Sequence, residues 1–303
     1  MSEAAMITYK QLSLEDKPLI ESYLCQDFFY LSDVSFGNLY IWHTSRNISF
    51  CIVAGFLVIR TQYPQGKPFY FYPIGTGDKT QCVLALIEDS KARGERLEFR
   101  SLEARSVQEL TLHFPDLFTF TPNRDRSDYV YSIKELIELS GRKYHKKKNH
   151  LNQFLQTYPD YSYTSIDPSN APRVLQTWEE WYALNQEGAS EGLKNENLGI
   201  INALKNYHVL GLKGGFISVG GVIVAFSFGE AINQEMAVIH IEKANPQYHG
   251  AYQIINQQLL AHEFSEYLYA NREEDLGIEG LRRAKMSYNP VFLVEKFEAV
   301  CLQ

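Results

Sequence analysis

Short runs rich in apolar, β-branched and aromatic residues follow an opening helical stretch in the first half of the chain. Turns that contain glycine and proline separate them, and the pattern predicts β-strands. A helical period of apolar residues interrupts them, and the pattern then returns to strands. The predicted elements are strands at 48–53, 56–62, 68–72, 96–101, 118–121 and 129–133, with helices at 80–93 and 106–113.

The second half repeats this order of strand meander, turn, helix, strand, helix and strand, without obvious sequence identity between the halves. Its predicted strands lie at 161–166, 216–219, 222–229, 236–241, 267–270 and 292–299, and its helices at 171–185, 251–264 and 277–284. The repeated order indicates an α/β (α+β) chain of two similar domains, 1–138 and 139–303, each with a mixed, mainly antiparallel sheet flanked by helices. A basic helix starting at Arg142 is expected to bridge them.

Composition supports a folded globular protein of two domains. The 303 residues are 45% hydrophobic and 21% charged, which is ordinary for a packed core with a polar surface. The formal net charge of −7 excludes a protein that binds nucleic acid over most of its surface. A phosphate-rich partner would therefore need a local basic patch. The four cysteines form no CxxC pair and match no zinc spacing, so we expect no metal site.

The chain also shows no targeting or membrane-spanning pattern. Its first residues lack a basic region followed by an apolar run, so no secretory signal is expected. No stretch offers the roughly 18–20 apolar residues of a transmembrane helix. We therefore expect a cytoplasmic protein with free thiols.

The turn at 242–252 joins a predicted strand to a predicted helix and is the first candidate for chemistry. Backbone N–H groups at a helix start can hold an anion. The candidate substrate or phosphate contacts of this turn are therefore Gln247, Gly250, Ala251 and Tyr252. Glycine at that point would let a ligand approach the backbone closely. Glu242, at the end of the strand, is placed to act as a general base. The alternative is an ordinary turn.

The segment 271–290 is rich in acids and then in bases around two glycines. Such a string can place a second candidate base, Asp275, near the cations Arg272, Arg282 and Lys285, which would bind a substrate phosphate or carboxylate. The alternative is a solvated loop and helix with charges of both signs.

The third candidate is the basic segment 142–150, a concentrated positive patch on an acidic chain. Arg142, Lys146 and Lys147 are its candidate phosphate contacts, and binding there would weaken as salt increases. The alternative is a solvated helix face.

These segments resemble one family. The string at 271–290 closely resembles the closing motif of an uncharacterised family that shares the catalytic C-terminal domain of phosphatidylglycerol lysyltransferases, and the resemblance extends to 35–42, 125–129, 142–154 and 242–252. It implies two tandem domains of the GNAT (acyl-CoA N-acyltransferase) type, related to the Fem aminoacyltransferases. Those relatives move an amino acid from aminoacyl-tRNA to an amine or hydroxyl acceptor.

The turn at 242–252 also resembles the pyrophosphate loop of GNAT acetyltransferases, Gln/Arg-x-x-Gly-x-Gly/Ala. Gln247 and Gly250 match, whereas Tyr252 occupies the last, small position. A bulky ring there would crowd the pyrophosphate of coenzyme A.

The sequence is compatible with three functions. The first is transfer of an aminoacyl group from aminoacyl-tRNA to an amine or hydroxyl of a small-molecule, peptide or lipid acceptor. The second is acyl-CoA-dependent N-acetylation, and the third is non-catalytic binding on a GNAT scaffold. No tightly bound cofactor is expected, because aminoacyl-tRNA or acyl-CoA would enter as the donor substrate.

Overall fold

In the computed structural model, which describes residues 6–184 and 186–302, the chain divides into two compact units. The first contains the chain up to Ser127 together with the segment from Val294 onward, and the second is Asp128–Leu293. Two predictions touch positions outside the described residues. They are the lack of a secretory signal at the chain start and the end of the predicted helix at 171–185.

The first unit is built on a mixed sheet with the strand order β1-β2-β3-β4-β5-β14-β6. Its strands are β1 (Lys10–Gln11), β2 (Ser49–Val53), β3 (Phe56–Thr61), β4 (Phe69–Tyr70), β5 (Glu98–Leu102), β6 (Phe118–Pro122) and β14 (Phe297–Cys301). The pairings are antiparallel except that of β4 with β5, which is parallel and aligns Tyr70 with Phe99.

Helices cover this sheet with their apolar faces. They are α1 (Lys17–Leu24), α2 (Phe36–Trp42), α3 (Thr80–Ala92) and α4 (Ala104–His113). The buried face of α3 includes Val83 and Leu86, which join Val58 and Phe99 of the sheet in one hydrophobic cluster. The helical period at 80–93 predicted this face, because residues three and four apart share one side of a helix.

The second unit has the strand order β13-β7-β12-β11-β10-β9-β8. Its strands are β7 (Asp128–Ser132), β8 (Ser162–Ser165), β9 (Lys213–Val219), β10 (Val222–Ala231), β11 (Met236–Ala244), β12 (Tyr269–Asn271) and β13 (Phe292–Val294). The long strands β9, β10 and β11 form an antiparallel meander, whereas β11 and β12 are parallel.

The helices of the second unit are α5 (Ile133–Glu138), α6 (His145–Thr157), α7 (Ala171–Ala183), α8 (Glu191–Lys205), α9 (Tyr207–Leu210), α10 (Ala251–Glu263) and α11 (Glu279–Met286). Helix α10 packs Ile254 and Leu259 against the sheet core, which includes Val224 and Ala237. The predicted class of two mixed, mainly antiparallel sheets flanked by helices is therefore confirmed. Every described helix is too short or too polar to cross a lipid bilayer.

The division of the chain differs from the predicted boundary between residues 138 and 139. Strand β7 pairs with β12 and so belongs to the second unit, whereas β14 pairs with β5 and β6 of the first. The predicted single strand at 292–299 is two strands in two different sheets. Helix α6, expected to bridge the domains, lies within the second unit. Hydrophobic pattern predicts a strand but does not encode which sheet edge completes its hydrogen bonds.

Candidate functional site

The parting of two parallel strands creates the site. Strand β12 pairs with β11 only as far as the Val238–Asn271 alignment, while β11 continues to Ala244. Arg272 follows β12 directly and Glu242 lies near the end of β11, so their side chains face each other where the strands have separated.

Glu242 and Arg272 form an ion pair across this gap. The Nη2 atom of Arg272 lies 2.8 Å from Oε1 of Glu242. The other carboxylate oxygen, Oε2, accepts a hydrogen bond of 2.9 Å from Nδ2 of Asn256 on α10. The Arg272 and Glu242 side chains are 14% and 13% exposed, so both are largely buried yet reached by solvent. The carboxylate is thus oriented by two donors.

Aromatic rings contact two cations at this site, Arg272 of the ion pair and Lys147. The Arg272 guanidinium carbon is 5.5 Å from the ring centre of Tyr131 and 4.7 Å from that of Tyr288. The Lys147 ammonium, on α6, lies 3.9 Å from the same Tyr288 ring centre. Such contacts stabilise a cation without using its hydrogen-bond donors.

Both cations keep donors that the protein does not use. Nη1 of Arg272 is buried and has no hydrogen-bond partner among the described residues, and the Lys147 ammonium makes no hydrogen bond or ion pair within them. Burial, followed by the charge of Arg272, lowers the pKa of Lys147 to about 8, against the opposing effect of Glu242. A buried unpaired donor costs about 1–3 kcal/mol, which an anionic ligand would recover.

Tyr252 also reaches this site from the first turn of α10. Burial and then the Glu242 carboxylate raise the pKa of its phenol, while the backbone of Ala244 has the opposite effect. The structure therefore brings together four of the predicted site residues: Glu242, Arg272, Lys147 and Tyr252.

A β-bulge in β11 places His240 where it connects this strand to the segment that follows β12. His240 is the extra residue of β11 between the Phe228–Ile241 and Gly229–Ile239 alignments. Its buried ring contacts two carboxylates at 2.9 Å, with Nδ1 on Glu273 and Nε2 on Glu230. Burial alone would lower the pKa of His240, but these carboxylates raise it to about 9. The imidazolium thus ties the residue after Arg272 to the bulged strand.

Asp275, predicted as a second base, is instead locked in a closed ion pair. Both of its oxygens accept from Arg282, at 2.8 and 2.9 Å, and it also accepts from the Tyr129 hydroxyl and the Gly277 N–H. Its side chain is fully buried. Burial favours the neutral acid, but these donors hold the pKa of Asp275 far below its usual range. Such a carboxylate is a poor proton acceptor, and Arg282 is committed to it.

Lys285, predicted to contact a substrate anion, binds the backbone instead. Its ammonium donates to the carbonyl of Arg272 and, at 3.2 Å, to that of Glu273. Burial, with the charge of Arg272, lowers the pKa of Lys285 to about 8. The Lys285 side chain therefore fixes the backbone at Arg272 and does not point its donors at a ligand.

The start of α10 differs from the predicted anion site. A Cβ on Gly250 would lie 2.5 Å from the His150 carbonyl oxygen and 2.8 Å from Cβ of Phe154, so this glycine admits helix α6 rather than a ligand. Ala251 is buried and its N–H donates to the Tyr248 carbonyl. Gln247 is exposed on the turn.

The other predicted phosphate contacts are surface residues. Arg142 begins a short 3₁₀ turn and Lys146 lies in the first turn of α6, and both are exposed. They are thus accessible to a large polyanion, whereas Lys147, the next residue, turns toward Tyr288.

Sequence reasoning missed several members of the site. Asn256 is a buried amide on the apolar face of α10, and His240 interrupts an apolar strand, so each carried a signal as a polar residue in a hydrophobic pattern. Tyr131 and Tyr288 carried none, because aromatic residues in core positions are common.

The family described as "Phosphatidylglycerol lysyltransferase, C-terminal" matches residues 29–300. A crystal structure of a conserved protein of unknown function from Bacteroides thetaiotaomicron is 38% identical, with a TM-score of 0.92 over 98% of this chain and 100% of that one.

Two more distant solved structures share the fold. The C-terminal domain of a putative lysylphosphatidylglycerol synthetase from Agrobacterium fabrum gives a TM-score of 0.66 at 15% identity, over 95% of this chain and 90% of its own. A tandem GNAT protein from the clavulanic acid biosynthesis pathway gives 0.50 at 8% identity, over 96% and 97%. The predicted tandem GNAT-like fold is confirmed.

Proposed function

The chain belongs to the family of the phosphatidylglycerol lysyltransferase C-terminal domain, and from that premise we propose that it is an aminoacyltransferase. The donor in this proposal is aminoacyl-tRNA, and the acceptor is an amine or a hydroxyl. A cytoplasmic location, where aminoacyl-tRNA is found, is part of the proposal.

One observation carries this proposal: an oriented carboxylate lies beside two cations with unused donors. Nη1 of Arg272 and the ammonium of Lys147 have no hydrogen-bonding partner within the described residues, and Glu242 lies 2.8 Å from the other arm of Arg272. Acyl transfer needs a base for the acceptor and positive charge for the developing oxyanion. The site supplies both within one gap between strands.

Each group then has a defined task. The acceptor nitrogen or oxygen attacks the ester carbonyl carbon while its proton passes to the free lone pair of a Glu242 oxygen. The carbonyl oxygen becomes an oxyanion, which Arg272 and Lys147 stabilise. Collapse of the tetrahedral intermediate breaks the bond to the tRNA ribose oxygen, which takes the proton from Glu242. The products are the aminoacylated acceptor and uncharged tRNA.

The exposed cations at the start of α6 fit the nucleic-acid part of the donor. Arg142 and Lys146 are solvent-accessible, and Lys146 directly precedes Lys147, which contacts Tyr288 at the site. Phosphate contacts of this kind add affinity through release of counterions. They give the acidic protein the local basic surface that tRNA requires.

Two features of α10 weigh against acyl-CoA as the donor. Gly250 is packed against His150 and Phe154, and Tyr252 occupies the position where the pyrophosphate loop has a small residue. The helix start therefore offers little room for a pyrophosphate group.

The experiment measures deacylation of tRNA. Bulk tRNA charged with radiolabelled amino acids is incubated with the full chain and candidate acceptors, including phosphatidylglycerol vesicles and simple amines. We expect acceptor-dependent loss of acid-precipitable label. Failure of every charged tRNA, together with stabilisation of the fold by acetyl-CoA, would instead favour N-acetylation. If no charged tRNA is deacylated and neither tRNA nor acetyl-CoA binds, the result would favour a non-catalytic binding protein.

Salt dependence tests the basic surface separately. Substituting Arg142 and Lys146 together with alanine should reduce the slope of log affinity against log salt by about 2 for bulk tRNA. Lys134→Ala, which removes an exposed charge on α5, is the matched control. An unchanged slope in the double variant would remove this surface from the proposal.

A further inference from the structure

A cavity of about 530 Å³ lies at one end of the sheet of the first unit. The loop between β3 and β4 forms one wall, with Lys67 and Pro68. The loop between α3 and β5 forms the opposite wall, with Glu95 and Arg96, and Val300 of β14 adds a side chain from the sheet. Pockets of about 300–1,000 Å³ are the size that holds a small ligand.

The end of α3 fixes the position of Glu95. Gly94 takes the left-handed conformation, with φ 69°, and its N–H donates to the Lys91 carbonyl at 3.0 Å. The Glu95 N–H donates to the Ser90 carbonyl at 2.9 Å. These two bonds form the Schellman ending of a helix, in which glycine adopts the left-handed conformation without steric cost. The backbone that carries the Glu95 side chain is therefore held in one conformation.

The Glu95 carboxylate has no partner within residues 6–184 and 186–302. Its Oε2 atom is buried and accepts no hydrogen bond, and neither of its oxygens lies in an ion pair with a described residue. A buried acceptor without a partner costs about 1–3 kcal/mol, and more when the group is charged. An ammonium group in the cavity would offset this cost through a charge-assisted hydrogen bond.

Two cations of the lining are unused as well. The side chains of Lys67 and Arg96 are exposed and make no hydrogen bond or ion pair in the described part of the chain. The fourth charged residue of the lining, Glu98, accepts from Nε of Arg100 at 2.5 Å. The unpaired charges of the cavity are therefore of both signs.

We propose that this cavity binds a zwitterion with an aliphatic side chain, either a free amino acid or a short peptide. The ammonium group of the ligand binds Glu95, and its carboxylate binds Lys67 and Arg96. The aliphatic side chain packs on Pro68 and Val300. A simple anion would leave Glu95 unpaired, and a simple cation would be repelled by the lysine and the arginine. The site is independent of the function proposed for the second unit.

L-Leucine and the dipeptide leucyl-leucine are the probes, titrated calorimetrically into the full chain. We expect at least one of them to bind with a dissociation constant of about 1 mM or tighter. N-acetyl-leucine lacks the ammonium group and leucinamide lacks the carboxylate. Each should bind about 10-fold or more weakly than leucine, the loss expected for a charge-assisted hydrogen bond. The tighter of the two zwitterions identifies a free amino acid or a peptide as the ligand.

Substitution of Glu95 locates the ammonium group of the ligand. Glu95→Gln keeps the shape of the side chain and should weaken leucine binding by about 10-fold or more. The same substitution should leave the weak binding of N-acetyl-leucine unchanged, because that probe has no ammonium group to lose. Glu88→Gln, which removes an exposed carboxylate of α3 outside the cavity, is the matched control. Thermal unfolding checks that both variants are folded.

Each outcome decides the proposal. Binding of neither zwitterion, or equal binding by the Glu95 variant, would overturn it. Equal binding of N-acetyl-leucine would overturn the role of the Glu95 carboxylate, and equal binding of leucinamide would overturn that of Lys67 and Arg96. Loss of binding in Glu242→Gln would place the ligand in the second unit and overturn this site, whereas unchanged binding in that variant supports it.

Discussion

The second unit has two carboxylate–guanidinium pairs, Asp275–Arg282 and Glu242–Arg272, and they differ in what surrounds them. Asp275 is fully buried, binds Arg282 through two hydrogen bonds, and accepts two more from Tyr129 and Gly277. Glu242 is 13% exposed and binds Arg272 through one contact, and the guanidinium retains an unused donor.

The difference separates a structural pair from a candidate active pair. A buried ion pair is favourable only when its remaining donors and acceptors are satisfied. The Asp275 pair meets that condition within the protein, so a ligand has nothing to add. The Glu242 pair does not, and a ligand anion would complete it. Residue type predicted both carboxylates as bases and both arginines as substrate contacts, whereas the hydrogen bonds that each group makes in the folded protein distinguish the two pairs.

The largest expected effect is on the Glu242–Arg272 pair, in which the guanidinium has an unused donor. Glu242→Gln should reduce aminoacyl transfer by about 10²–10⁴-fold, because glutamine cannot accept the proton of the acceptor. Initial rates of tRNA deacylation with saturating acceptor measure it. Glu279→Gln, an exposed carboxylate on α11, is the control. Full activity in the Glu242 variant would mean that Glu242 is not the base.

Loss of the Asp275–Arg282 pair should lower the stability of the fold. Asp275→Asn should lower the free energy of unfolding by about 3 kcal/mol or more, since it leaves Arg282 partly buried without its counter-charge. Urea denaturation of the Asp275 and Glu242 variants side by side gives the comparison. A greater loss of stability in the Glu242 variant would reverse the assignment of the two pairs.

The clamp on His240 should make stability depend on pH. Its pKa is raised from 6.5 to about 9 in the folded protein by Glu230 and Glu273. The contribution is therefore complete below about pH 6.5 and is lost as pH rises through 9, by about 3 kcal/mol. Unfolding free energies between pH 6 and 10 measure the decline. His240→Gln should lack this component, and an identical decline in that variant would refute the clamp.

The smallest expected effect concerns Lys147. Because its pKa is about 8, its affinity for an anion should fall, by about 10-fold or less, as pH rises through that value. Binding of uncharged bulk tRNA at pH 7 and pH 9 tests this. Lys147→Arg stays charged and should flatten the curve, although Lys285 titrates in the same range. A curve unchanged by the substitution would assign the pH dependence to Lys285.

Much of the site was predictable as single residues but not as an arrangement. Glu242, Arg272, Lys147 and Tyr252 stood in charged or turn-rich segments whose residue types indicated chemistry. Their distances depend on where β11 and β12 part and on the side from which α6 approaches. Gly250 illustrates the limit, because a glycine required for helix packing has the same sequence signal as one that admits a ligand.

The amino-acid sequence by itself determined the kinds of element, their order and the repeated architecture, since hydrophobic periodicity and turn residues act over a few neighbouring positions. Tertiary structure alone decided that β14 joins the first sheet, that Asp275 is closed, and that Arg272 keeps an unused donor. Those outcomes depend on partners as far apart in the chain as Tyr129 and Asp275, or Asp33 and Lys296. Local pattern carries no information about which distant group completes a hydrogen bond.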